Sequence, residues 1–275
     1  MSVSEPESAS GHVRRRIIRW RGNRFEEAED EIAEECPIEL RYNEQSFAVM
    51  MATPRDLEDF ALGFSLSEGL IAAPGQLLEV VSRNLLEGIQ LDIRVRDYAP
   101  AAHLEQAHRR LLPGRSSCGI CGTRQLEHAL RAPGPVHGNL HLGMAELERA
   151  MAELQRRQPA NAATGAVHAA AWVQAGGADM LVREDVGRHN ALDKLIGALH
   201  RAGLDPASGF ALVTSRASYE MVTKAASAGI SVLAAISAPT ALAIELARGA
   251  VMTLIGFARP GSCNVYCGSE RLQAG

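Results

Sequence analysis

FALVTSRASYEMVTKAASAGISVLAAISAPTALAIELARGAVMTLIGF, residues 210–257, sets the fold class. Short apolar segments alternate here with helical patterns and glycine stops. Phe210–Thr214 reads as a buried strand, Ser218–Ala228 as a helix ended by Gly229, and Ile230–Ile236 as a second strand. A helix from Pro239 to Arg248 stops at Gly249, and Val251–Phe257 supplies a third strand. Repeated βα units imply parallel strands under covering helices. Just upstream, Leu192, Leu195, Ile196 and Leu199 share one face of a helix near Gly187–His200. His168–Gln174 and Asp179–Glu184 flank the turn Gly176–Gly177, a hairpin signal. A hairpin joined to βα units predicts an α/β core (α+β over the whole chain), with a mixed sheet inside a three-layer sandwich.

The amino-terminal part has a different pattern, mostly strands around one helix. Arg14–Trp20 reads as a basic strand, an exposed sheet edge guarded by charge. Ile38–Tyr42 and Ser46–Met51 form strands joined at Asn43–Glu44. Thr53–Pro54 supplies an N-cap followed by proline at the first helical position. Leu57, Phe60, Ala61 and Phe64 then make a core-facing helical stripe that stops at Gly69, and Val80–Asn84 pairs with Ile89–Val95 around Gly88. The expected organisation is a disordered tail (1–11), a smaller strand-rich unit (12–112), a mobile cysteine loop and connector (113–142) and the α/β unit (143–275).

Charge and composition remove several functions. Lys plus Arg number 28 against 32 Asp plus Glu, a net charge of −4, so no chain-wide basic field attracts nucleic acid. The most apolar region, 230–258, is broken by Pro239, Glu245 and Arg248, which excludes a membrane helix there. The first eleven residues lack the apolar run of a signal peptide. Five cysteines, an odd and thin count, make no disulfide scaffold, and the expected compartment is the reducing cytoplasm.

Pro113–Gly122, PGRSSCGICG, concentrates the chemistry. Cys118 and Cys121 are spaced to reach one bound atom or each other. Gly119 and Gly122 let backbone N–H groups turn toward a thiolate, and Arg115 and Arg124 favour the anion. Such a loop suits a nucleophile that attacks a persulfide and carries its outer sulfur. Structural zinc is an alternative, with Cys263 and Cys267 as a second pair. A thioredoxin-type site is weakened by the Pro/Gly-rich lead-in. The zinc-deaminase pattern wants proline where Ser117 stands. Cys36 reads as an inert buried thiol.

In open α/β sheets, ligands collect beyond the carboxyl ends of the strands. Those ends carry Glu184–Asn190, Ser215–Glu220, Ser237–Thr240 and Arg259–Ser262. Arg188, Arg216 and Arg259 each enter the rim from a different loop. Guanidinium forks and helix N-termini both bind phosphate, so a phosphorylated ligand of nucleotide type is expected. The competing reading pairs each arginine with a neighbouring carboxylate. His168 and His189 are candidates for acid–base work or for fixing a loop.

Six ordered stretches resemble the FdhD family of sulfur-carrier accessory proteins of formate dehydrogenase. They are DLEDFALGFSLSEGLI (56–71), CGICG (118–122), TGAVHAAAW (164–172), EDVGRHNALDKLIG (184–197), SRASYEMVTKAASAGI (215–230) and GFARPGS (256–262). The resemblance implies a cytidine-deaminase-like sandwich without zinc ligands. It implies sulfane sulfur received from a cysteine desulfurase as a persulfide on Cys118, assisted by Cys121. The sulfur passes to a molybdenum (or tungsten) bis-guanine-dinucleotide pterin, bound as substrate and mimicked by GDP or GMP, with no intrinsic metal. Phe257, Ala258, Arg259, Pro260, Gly261 and Ser262 match the family's cofactor-binding segment, which joins Arg188, His189, Ser215 and Arg216 at the rim. Expected partners are the desulfurase, the formate dehydrogenase catalytic subunit and a second copy in a homodimer. Ser262 stands where a basic residue is expected, and Ala166 departs from the pattern in the turn before His168.

Overall fold

The computed structural model describes residues 11–104, 133–176 and 179–273. It opens with a two-stranded antiparallel ribbon, β1 (His12–Arg21) and β2 (Arg24–Ala33). The turn residues Gly22 and Asn23 take φ of 54° and 64°, as a two-residue hairpin requires. Next come β3 (Cys36–Tyr42), β4 (Gln45–Ala52), helix α1 (Leu57–Ser67), β5 (Leu77–Leu85) and β6 (Gly88–Val95). The strands form a sheet in the order β4-β3-β6-β5, with β3 and β6 parallel. Ile38, Leu40, Tyr42, Leu91 and Ile93 pack with Phe60, Ala61 and Phe64 of α1 to make one core.

Helix α1 starts at Leu57, three residues after the expected proline. Asp56 precedes it in the left-handed region, at φ 52°. Thr53 is drawn away from capping by distant partners. Its N–H donates to Asp185 Oδ2 at 3.0 Å, and its hydroxyl accepts from the Val186 N–H at 3.1 Å.

The second half contains β7 (Leu142–Gly143), α2 (Met144–Arg156), α3 (Pro159–Thr164), β8 (His168–Gln174), β9 (Met180–Asp185) and α4 (Arg188–Arg201). β10 (Gly209–Val213), α5 (Tyr219–Ser227), β11 (Val232–Ala235), α6 (Ala241–Gly249) and β12 (Thr253–Arg259) follow, then β13 (Ser262–Cys267) and β14 (Leu272–Gln273). Six of these strands build one sheet, ordered β13-β12-β11-β10-β8-β9, in which β10, β11 and β12 are parallel. Trp172, Val213, Leu233 and Leu254 face one core with α4, α5 and α6. Val173, Leu212, Val232 and Ile255 face another with Leu147, Met151 and Leu154 of α2. Apolar side chains on both faces at period two give the three-layer sandwich that the βα pattern predicts.

The sequence reading has no counterpart for β2, whose residues are mostly charged, for the short small-residue helix α3, for β13, whose alternation a register shift breaks, or for the two-residue β7 and β14. It also ends β12 two residues early. Among the described residues, no helix is long and apolar enough to cross a membrane.

Helices α1 and α4 join the two halves backbone to backbone. A Cβ on Gly63 would lie 1.7 Å from the Asp193 carbonyl oxygen, and one on Gly197 would lie 1.9 Å from that of Asp59. No side chain fits between the helices at either point. Around this crossing sits a buried charge network. Asp59 accepts from Arg183 Nε at 2.7 Å and from Arg201 at 2.8 Å. Lys224 Nζ reaches Asp193 at 3.0 Å and Glu68 at 2.6 Å, 5.4 Å from the Phe64 ring centroid. Burial acts against the Lys224 charge, but the two carboxylates more than offset it and hold the ammonium protonated.

Candidate functional site

Strand β8 runs antiparallel to both β9 and β10, so β9, β10, β11 and β12 share one direction. Their carboxyl ends therefore meet at one edge of the sheet, together with His168 at the start of β8. Arg188 and Arg216 follow β9 and β10 there, and Arg259 ends β12. Four inter-strand steps of about 4.8 Å separate β9 from β12, so the rim runs roughly 19 Å along the sheet. That is long enough for an extended dinucleotide and generous for a lone phosphate.

The loop after β9 hangs on a fully buried ion pair. Lys194 Nζ lies 2.6 Å from Asp185 Oδ2, with both side chains 0 % exposed. The ammonium also donates to the Thr53 carbonyl at 2.9 Å. Asp185 Oδ1 accepts from the Gly187 N–H at 2.7 Å and from Asn190 Nδ2 at 3.0 Å, and Asn190 donates to the Met51 carbonyl at 2.8 Å. Every carboxylate oxygen of Asp185 is used, which is the condition under which a buried charge is tolerated. The amino-terminal sheet thus clamps the EDVGRHN loop. Glu184, one residue earlier, accepts from the Ala160 and Asn161 N–H groups at 3.0 and 2.8 Å and caps α3.

Above this clamp, His189 Nε2 lies 2.7 Å from Glu220 Oε2, and the Arg188 guanidinium comes within 4.0 Å of the same oxygen. His168 is half-buried. Burial, then the charges of Arg188 and His189, pull its pKa below the usual histidine range, so it is neutral at pH 7. Arg188 Nε and Ser218 Oγ are buried without a hydrogen-bond partner among the described residues. Ser218 and Gly187 begin α5 and α4 without any side-chain cap, whereas Thr240 caps α6 by accepting from the Ala243 N–H. Two uncapped helix starts leave N–H donors for an anion.

At the other end of the rim, β12 carries a bulge between Gly256 and Arg259. Phe257 is its extra residue, at φ 50° and 40 % exposed, while Ala258 takes the core position. A β-carbon on Gly256 would come 2.7 Å from Pro239 Cδ, and the Phe257 N–H donates to the Ser237 carbonyl at 3.1 Å. The neighbouring loop thereby holds the strained backbone and turns an aromatic ring outward. Left-handed non-glycine residues cluster at ligand clamps. Pro260 and Gly261 then turn the chain into β13, and the Gly261 N–H donates to Glu148 Oε1 of α2 at 3.0 Å.

Arg216, Arg259, Pro260, Gly261 and Ser262 are exposed, and Arg216 and Arg259 form no ion pair among the described residues. The carboxylate-pairing alternative therefore holds only for Arg188, and there at a long distance. Ser215 and His189 are 4 % and 5 % exposed, so they shape the rim from beneath. Cys118 and Cys121 lie outside the described residues. Cys263 and Cys267 pack against opposite cores, because a register shift in β13 puts them on different faces of the sheet. They cannot share one ion, which removes the second pair from the zinc reading. Burial raises both thiols, and that of Cys36, making them poor nucleophiles. The zinc-deaminase pattern also needs a His-x-Glu, which reads as missing from the sequence but does occur, at His103-Leu104-Glu105. Its Leu104 is buried in the amino-terminal core and Glu105 lies outside the described residues. Sequence reasoning missed Asp185, Lys194, Glu220 and Glu148. Only a lysine set within the helix of the apolar stripe Leu192, Leu195, Ile196 and Leu199 hints at the first pair.

A family model described as the FdhD/NarQ family matches residues 33–273. The Sulfur carrier protein FdhD of Xanthomonas euvesicatoria pv. vesicatoria is 54 % identical over 276 residues, covering 99 % of this chain and 98 % of its own. That of Cupriavidus necator is 50 % identical over 257 residues, covering 94 % and 88 %. A crystal structure of a candidate formate dehydrogenase accessory protein from Desulfotalea psychrophila superposes with a TM-score of 0.75 at 24 % identity, over 95 % of this chain and 99 % of that one. At that identity the match speaks for the fold. Six motifs, the three-layer sheet and full-length relatives at half identity or more converge: the chain belongs to the FdhD/NarQ family.

Proposed function

We propose that this protein is a sulfur carrier serving formate dehydrogenase, taking sulfane sulfur on Cys118 and delivering it to a guanine-dinucleotide molybdenum pterin held at the strand-end rim. The observation that carries the reading is the dithiol Cys118-Gly-Ile-Cys121 in a chain whose full-length relatives bear the name sulfur carrier. In the loading step the Cys118 thiolate attacks the outer sulfur of a desulfurase persulfide. One S–S bond forms on Cys118 as the other breaks, and the desulfurase cysteine leaves as its thiolate. No net oxidation occurs. In the sequence, Gly119 and Gly122 adjoin the pair and Arg115 and Arg124 flank it, a composition of the kind that favours an attacking thiolate.

The rim suits the cargo. Arg216 and Arg259, without an ion pair among the described residues, offer forks to phosphates, the uncapped starts of α4 and α5 offer N–H groups, and Phe257 offers an exposed ring face to a base. Neutral His168 adds no charge of its own. In cells lacking this protein, formate dehydrogenase activity is expected to return with the wild-type chain and not with Cys118→Ala. Full restoration by Cys118→Ala would refute the carrier assignment. With purified protein, Arg259→Ala is expected to weaken GDP binding by about tenfold or more, the loss of one charge-assisted contact, while leaving sulfur loading intact.

A further inference from the structure

The rim changes character along its length. At the β12 end it is open, with Phe257 and Arg259 exposed. At the other end, the loops after β9 and β10 flank the start of β8, and the surface is recessed. The Glu220 and Arg188 side chains there are only 14 % and 29 % exposed. Glu220 Oε2 lies 2.7 Å from His189 Nε2 and 4.0 Å from the Arg188 guanidinium, while Oε1 has no partner among the described residues. Arg188 Nε and Ser218 Oγ are buried without hydrogen-bond partners among those residues. His168, neutral at pH 7, adds a ring that both donates and accepts. Buried polar groups left unpaired cost free energy, so several gathered at one place point to a ligand that satisfies them. A phosphate does not, because the Glu220 carboxylate repels it. The matching ligand presents N–H donors to a carboxylate and acceptors to the guanidinium beside it.

We propose that Glu220, Arg188, Ser218 and His168 form the seat of the cargo's pterin ring. The pterin is an amino-oxopyrimidine fused to a second ring. Its adjacent N–H groups suit the Glu220 carboxylate, and its carbonyl suits Arg188 and the Ser218 hydroxyl. The assignment rests on the function proposed above and orders the cargo along the rim. Guanine carries the same donor–acceptor edge, so position decides between the two rings. Phe257 offers its face to a base at β12. Arg216 follows β10, two inter-strand steps or about 10 Å away, and offers a fork to the pyrophosphate. The two heterocycles of the dinucleotide lie on opposite sides of that pyrophosphate. With guanine at β12, the pterin falls toward β9, where the recess is.

Titration of the full chain with free pterin, followed by the fluorescence of the pterin itself, tests this. Wild type is expected to prefer pterin at least about tenfold over lumazine, which has a carbonyl where pterin has its exocyclic amine, because that carbonyl meets the carboxylate. The comparison needs no variant. Glu220→Gln is expected to weaken pterin binding by about tenfold or more and to erase the preference, since an amide can turn its NH₂ toward lumazine. Saturating GDP is expected to leave pterin bound. No pterin binding by wild type, equal affinity for lumazine, a preference unchanged in Glu220→Gln, or displacement of pterin by GDP would overturn the assignment; the last would place guanine in the seat. Pterin is titrated in the absence of any sulfur donor, so failure here is separate from failure of Cys118 to load sulfur.

Discussion

Phe257 sits at φ 50° in the bulge of β12, with its N–H donated to the Ser237 carbonyl. A left-handed backbone costs a non-glycine residue roughly 1–2 kcal/mol, and a glycine would relieve that strain at an entropic cost of similar size. Phe257→Gly is therefore expected to leave the unfolding free energy within about 1 kcal/mol of wild type while weakening GDP binding. A large loss of stability with intact binding would show that the ring serves packing instead. Asp185 shows the opposite balance. Its partner Lys194 has no route to water, so Asp185→Ala strands an ammonium in the core, a change worth about 3–5 kcal/mol in urea unfolding. Histidines add a pH dependence. Burial depresses His168 and His200, so in the window below the ordinary histidine range the unfolded chain holds protons that the folded chain refuses. Stability contributed by these groups is present above that range and is lost as pH falls through it. Urea midpoints should decline on acidification from pH 7.5, with a shallower decline in His168→Gln; equal slopes would discount His168.

The α1–α4 crossing explains why glycines recur in two of the longest motifs. Gly63 and Gly197 are places where one helix backbone lies on the other, so Gly197→Ala is expected to cost about 1–3 kcal/mol or more through forced separation. Circular dichroism melts check this, and an unchanged melting temperature would contradict the close approach. Elements whose side chains alternate or repeat cleanly, such as α4 and β10, were legible because burial dictates their pattern. β2 was not, because Glu26, Glu27, Glu29 and Asp30 answer to solvent and to the arginines opposite. Nor was the delayed start of α1, because Thr53 bonds to Asp185, 132 positions away, and no local signal announces that. Sequence locates apolar periodicity; it does not locate partners for a buried polar group.

Over the whole molecule, the sandwich and the gathering of four loops at one edge follow from strand order alone. Arg188, Arg216 and Arg259 were legible as a rim because strand-end loops of open sheets face one way. The bulge that exposes Phe257 was not, since it arises from a register shift against β13, a strand whose own alternation is broken by a second shift. The central claim is that Cys118 accepts a transferable sulfur atom. The most direct measurement is mass spectrometry of the Cys118-bearing peptide after incubation of the full chain with a cysteine desulfurase and cysteine. A gain of one sulfur on Cys118, lost on treatment with a thiol reductant and missing in Cys118→Ala, is the predicted result. An unmodified Cys118, or sulfur gained equally by the Cys118→Ala chain, would contradict the account.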